Sequence, residues 1–100
     1  MKLGILVNTS DHLDDIVGIV QSATAQGHNV NLFAMDVGTK LLEEKSFVSL
    51  IELHGVMMSY CDHSVQELGV NTEGLNPSIV RSSQYSNAEM NHNSDKVLVL

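Results

Sequence analysis

One hundred residues are enough for a single compact domain with one core, but a domain this small buries a modest share of its surface. The chain is 43% hydrophobic yet only 4% aromatic, with no Trp, so its core must be built from Val, Leu, Ile, Met and Ala, and association between subunits would help to complete it. Five Lys and Arg against 12 Asp and Glu give a formal charge of -7, which argues against nucleic acid as a partner because binding a phosphate backbone takes many cations.

Lys2 to Asn8 reads as a strand, since Leu3, Ile5, Leu6 and Val7 form the nearly continuous apolar run of a strand covered on both faces. The run is too short for a signal peptide and lacks a cleavage pattern, and no stretch approaches the ~20 apolar residues that span a bilayer. A soluble cytoplasmic protein without membrane contact is therefore expected. From His12 the spacing turns helical, with Leu13, Ile16, Val17 and Val20 on one face and Asp14, Asp15 and Gln21 on the other. Ser10 or Asp11 suits the N-cap and Gly27 the exit.

His28 to Ala34 alternates as a second strand, and Met35-Asp-Val-Gly38 turns the chain. Lys40 to Lys45 has room for a turn or two of helix, and Ser46 is placed to cap a helix carrying Phe47, Val48, Leu50, Ile51 and Leu53. Val56 to Tyr60 is the third strand; its Met57-Met58 pair reads as core filling. Asp62 to Leu68 predicts a short helix stopped at Gly69, Ser78 to Ser82 a short fourth strand, Gln84 to Asn93 a polar helix and Lys96 to Leu100 a last strand. Strands and helices in strict alternation predict one α/β domain over residues 1–100, a three-layer sandwich with a mainly parallel, about five-stranded sheet of flavodoxin-like architecture. Ligand chemistry in such a sheet belongs at the carboxyl ends of the strands, where Asn8 to His12, Met35 to Gly38 and Cys61 to Ser64 lie.

Cys61 is the only cysteine, which excludes an internal disulfide framework. It stands between a strand and a helix start, where unpaired N–H groups and the helix dipole favour a thiolate, and His63 is near enough in sequence to donate to the sulfur or act as a base. Against this stands the plain alternative of a buried Cys behaving as a small hydrophobe. Asp62 would raise the thiol's pKa unless it points away or caps the helix.

Asn8 to Asp15 occupies the place of a phosphate loop, but it has no glycine and carries Asp11, Asp14 and Asp15, so neither a flavin nor a nucleotide is expected there. Those acids with His12, Cys61 and His63 lack the paired spacing of a zinc site, and no metal or other cofactor is expected. A receiver domain would end its third strand in Asp, and here that position is Cys61. Arg81, the single arginine, is read as the partner of a surface carboxylate because acids outnumber bases.

Met1-Lys-Leu-Gly-Ile-Leu-Val7, Asp36-Val-Gly38, the strand ending in Tyr60-Cys61, Glu67-Leu-Gly69 and Asp95-Lys-Val-Leu-Val99 together resemble the DsrE/DsrF-like family over nearly the whole chain. The resemblance implies a small α/β domain assembled as a homotrimer or homohexamer. It implies a sulfur-relay role with possible sulfurtransferase activity, in which Cys61 carries sulfane sulfur as a persulfide, His63 assists, and a TusE/DsrC-like or TusA-like protein exchanges sulfur with it. The family position of Cys61 is commonly followed by small residues, and here Asp62-His63-Ser64 follows. The competing expectation is a non-catalytic oligomeric binding or regulatory subunit of the same fold with a structural Cys61.

Overall fold

The computed structural model describes residues 1–100. Strands and helices alternate as β1 (Lys2–Val7), α1 (Leu13–Ala25), β2 (Asn29–Ala34), a 3-10 helix (Asp36–Glu43), α2 (Lys45–Val48) running into a 3-10 turn (Ser49–Glu52), β3 (Val56–Cys61), α3 (Asp62–Leu68), β4 (Ile79–Ser82), α4 (Gln84–Asn93) and β5 (Lys96–Val99). The strands form one sheet in the order β4-β3-β2-β1-β5, and every neighbouring pair is parallel. This is the α/β fold with one parallel five-stranded sheet that the alternation predicts. The first four strands are laid down in one direction, whereas a flavodoxin-type sheet reverses after its second.

Alternation along each strand divides the apolar residues between two layers of unequal thickness. Leu3, Ile5 and Val7, Val30, Leu32 and Ala34, and Val56, Met58 and Tyr60 face α1, α2 and α3, and with Ile16, Val20, Phe47, Leu50 and Val65 they make the main core. The other face is covered by α4 alone, whose Met90 packs on Phe33 and Cys61 with Leu6, Met35 and Val97 around them. Gly4 lets α4 lie close, since a Cβ there would come within 2.6 Å of Ser94 Oγ and 3.1 Å of Met90 Cγ. Because α4 rests on β1 and β2, the same face of β3 and β4 is left open. Met57 is 66% exposed there, so the methionine pair is split: Met58 fills the core and Met57 points outward.

Two helix starts differ from the sequence reading. His12, rather than Ser10 or Asp11, holds the cap position of α1 and makes no side-chain cap bond. The helix expected from a Ser46 cap to Leu53 starts instead at Lys45, with Glu44 in the cap position, and changes to 3-10 geometry after Val48. Phe47, Leu50 and Leu53 are spaced by three, and 3-10 geometry stacks residues at i and i+3 on one side, toward the core. α3 ends at Gly69, whose φ of 65° is the left-handed stop that favours glycine. No helix is long and apolar enough to cross a membrane.

Candidate thiol site

Strand and helix meet without a loop at Cys61, which closes β3 and takes the cap position of α3 with extended backbone. Since Val56, Met58 and Tyr60 face the main core, alternation turns the Cys61 side chain to the opposite layer, between Phe33 and Met90. There it is 5% exposed. Cys61 lies beside Ser82, the last residue of β4. From β3 the chain leaves to α3 on the main-core side, while from β4 it leaves to α4 on the other side. The connections of two adjacent strands part at this point, and that divergence opens the crevice in which open parallel sheets place their ligands.

Three loops converge on the sulfur. Ser64, in the first turn of α3, is 6% exposed, and its Oγ accepts a 2.9 Å hydrogen bond from the Asp36 N–H. Asp36 has a φ of 48°, unusual for a residue with a side chain, and its carbonyl accepts a 2.7 Å bond from the buried Thr39 Oγ1. Gly38 sits against the end of β1 so closely that a Cβ would lie 2.1 Å from the Val7 carbonyl oxygen. The loop after β2 is thus clamped between β1 and α3. From the remaining side comes Gln84, the first residue of α4, whose Nε2 also lies 3.7 Å from Met35 Sδ.

Burial pushes the Cys61 thiol up, but hydrogen bonding from the Ser64 hydroxyl and N–H, the Gln84 side chain and the His63 N–H outweighs it, and the thiol stands below its ordinary value. The sulfur faces these helix N–H groups without closing a full cap hydrogen bond. Asp62 does not oppose them, because its carboxylate is engaged elsewhere. Arg81 Nη1 lies 3.0 Å from Oδ1, an ion pair lacking the angle of a hydrogen bond, and Gln66 Nε2 donates to Oδ2 at 2.8 Å. Arg81 donates further to the Tyr60 hydroxyl at 3.3 Å and to Thr72 Oγ1 at 3.1 Å, with its guanidinium 5.8 Å from the centre of the Tyr60 ring. The arginine therefore meets a carboxylate, as the charge balance implies.

His63 reaches the sulfur only by its backbone. Its imidazole Nε2 stands 2.8 Å from Glu67 Oε2 with the side chain 84% exposed, and it is not among the groups that bond the thiol. It borders a cleft of about 310 Å³ lined also by Asp36, Val37, Ser64, Glu67 and Leu68. Asp11, Asp14 and Asp15 do not gather with Cys61 or His63, and nowhere do three His, Cys, Asp or Glu side chains meet in a metal-binding group. The residues that sequence reasoning passed over are Ser64, Gln84 and the Asp36 amide. Ser64 carried a signal in standing three residues after the cap position, the spacing of a capping box.

No family model and no curated protein matches the chain. Solved structures do match it by fold. The ychN protein from E. coli superposes with a TM-score of 0.71 at 15% identity, over 100% of both chains. A protein of unknown function from Methanobacterium thermoautotrophicum, MTH1491, gives 0.76 at 11% identity over 99% of this chain and 98% of its own. A conserved protein of unknown function from Bacteroides thetaiotaomicron, BT1422, gives 0.77 at 17% identity over 99% and 94%. At such identities the likeness establishes the fold alone, a parallel α/β sheet with helices that the match covers over essentially the whole chain.

Proposed function

We propose that the protein is a sulfur-relay protein of the DsrE/DsrF-like kind, carrying sulfane sulfur as a persulfide on Cys61. The observation that carries this reading is the single thiol at the cap position of α3, where the connections of β3 and β4 part, with a pKa below its ordinary value supporting it. In loading, the Cys61 thiolate attacks the outer sulfur of a persulfide donor R–S–SH. The donor's S–S bond breaks, R–S⁻ leaves with the bonding pair, and Cys61–S–SH forms with no net oxidation. In unloading, an acceptor thiolate attacks the outer sulfur and Cys61 departs as thiolate. A lowered pKa assists both directions, since it raises the thiolate fraction and improves the leaving group. No metal or organic cofactor enters either step.

In this reading His63 acts in two places: its N–H faces the sulfur, and its exposed imidazole beside the 310 Å³ cleft meets the incoming donor or acceptor. The acceptor is a sulfur-carrier protein of the TusE/DsrC-like or TusA-like kind, and the protein itself assembles as a homotrimer or homohexamer. The open face of β3 and β4, with Met57 and Val80 exposed, is the kind of surface such association covers.

A second reading has its own observation. Cys61 is 5% exposed and packed on Phe33 and Met90, as a structural cysteine in a binding or regulatory subunit would be. Loading the protein from a polysulfide and mixing it with an acceptor thiol separates the two. A relay protein takes up sulfur and yields it to the acceptor, with His63→Ala slowing both steps; a structural Cys61 does neither.

A further inference from the structure

We propose that the open half of the sheet is a two-fold contact between copies of this chain, in which α4 of each copy lies in the bare half of the other. The contact rests on the self-association stated above and is independent of sulfur transfer. A parallel sheet is stable when both its faces are covered. On this face α4 covers β1 and β2 only, with Met90 turned down onto them. Beside α4 runs a groove of about 540 Å³, floored by Asn31, Met57, Ser59 and Val80 and walled by Ser86, Glu89 and Asn93. Met57 is 66% exposed and Val80 53%. The face is therefore a step, one half raised by the thickness of a helix and the other bare. A step is self-complementary under a two-fold axis that runs along the strands between α4 and the groove. Both helices then share one layer between two sheets. The residues of α4 opposite Met90 are Tyr85, Ala88 and His92, spaced i, i+3, i+7 and all exposed, with Tyr85 at 71%. They form the ridge, and an aromatic ring suits the Met57 thioether of the facing groove.

Charge identifies the occupant. Two copies at -7 each repel, so they approach at least cost where charge is absent. Glu89 is the one charged residue of α4, and none of the four residues on the groove floor is charged. A second cavity of about 560 Å³ shares Asn31, Met57 and Asn93 with the groove and adds Lys2, so the face as a whole is neutral. A basic partner, which the acidic chain would otherwise suit, has nothing to pair with here. With molecular extents of 36 × 26 × 25 Å, a broad face is of the order of the ~800 Å² per partner that a stable pair buries. Because the axis follows the strands, the partner's Tyr85, at the start of α4, comes to the carboxyl end of β3, where Cys61 lies.

Sedimentation velocity of the full chain at micromolar concentration tests the contact. The wild type should be an even-numbered oligomer, either the pair itself or a homohexamer of three pairs. Met57→Glu places a carboxylate in each groove and should raise the dissociation constant of the two-fold step about a hundredfold, halving the mass. Tyr85→Glu should do the same from the ridge. Val99→Glu changes the charge equally at a residue 60% exposed on β5, beyond α4, and should leave the mass unchanged. All three positions are exposed in the single chain, so circular dichroism should show native folding; if Met57→Glu does not fold, Tyr85→Glu decides. A wild-type trimer, an unchanged mass in the folded groove or ridge variant, or equal dissociation by Val99→Glu overturns the contact and leaves the association itself in place. A wild-type monomer overturns both. A dimer split by Met57→Glu upholds the contact and removes the trimer and hexamer. Polysulfide loading of the wild type, measured beside these, judges the relay reading separately.

Discussion

Met90 offers the sharpest perturbation of the layer that covers Cys61. It is the one buried residue of α4, 1% exposed, and it sits on Phe33 and Cys61 above the space left by Gly4. Met90→Ala removes three heavy atoms from a closed site, a change that costs about 3 kcal/mol in transfer and cavity terms. The main core lies on the other face of the sheet and loses nothing, so the cost falls on the docking of α4. A docking equilibrium weakened by 3 kcal/mol opens roughly a hundredfold more often. Cys61 in the variant should therefore be alkylated by iodoacetamide about a hundredfold faster under native conditions. Met90→Leu, which nearly conserves volume, should cost less than about 1.5 kcal/mol and keep the thiol protected. Urea unfolding followed by circular dichroism supplies the global stability for comparison. Alkylation that stays at the wild-type rate, or rises only as far as global unfolding accounts for, would refute the assignment of α4 as the local cover.

Gly38→Ala should destabilise the domain by about 3 kcal/mol, because its Cβ would meet the Val7 carbonyl and backbone has to move; a urea midpoint within error of wild type would contradict this. Asp14→Asn with Asp15→Asn should cost no more than ~1 kcal/mol, the worth of two acids in a first helical turn, and should change no metal content measured by elemental analysis. The lowered Cys61 pKa also has a pH signature. Between the folded value and the ordinary thiol value the unfolded chain retains a proton that the folded chain has released, so stability rises with pH through that window and is lost as pH falls through the folded value. Cys61→Ser should remove the slope from a series of urea titrations across alkaline pH.

The fold was legible because the strongest signals were long and regular. β1 and β3 are mostly apolar stretches of six residues, β2 alternates apolar residues with Asn29 and Asn31, and α1 has clean helical spacing, so the order of strands and helices that dictates a parallel sheet needed no tertiary information. The details that escaped are those in which packing overrode local preference. Phe47, Leu50 and Leu53 drew their segment into 3-10 geometry, and Met57 and Met58, identical by type, were parted by the strand's alternation. At the site, Cys61 and the strand-to-helix junction could be read directly. Which neighbour serves the sulfur could not, because Asp62 and His63 are adjacent in sequence but turn their side chains to Arg81 and Glu67. The donors that remain arrive from residue 64 and from residue 84 across the sheet, and residue 36, which fixes Ser64, lies in a loop whose shape depends on Gly38 seating against β1.

Acceptance of sulfane sulfur by Cys61 is measured directly by intact-mass spectrometry after incubation with a polysulfide. The wild-type protein should gain about 32 Da, one sulfur on one site per chain, absent from Cys61→Ser and removed by excess thiol. A wild-type spectrum that stays at the unmodified mass while Cys61 also resists native alkylation would contradict it, and would assign the cysteine to the structure of the α4 layer.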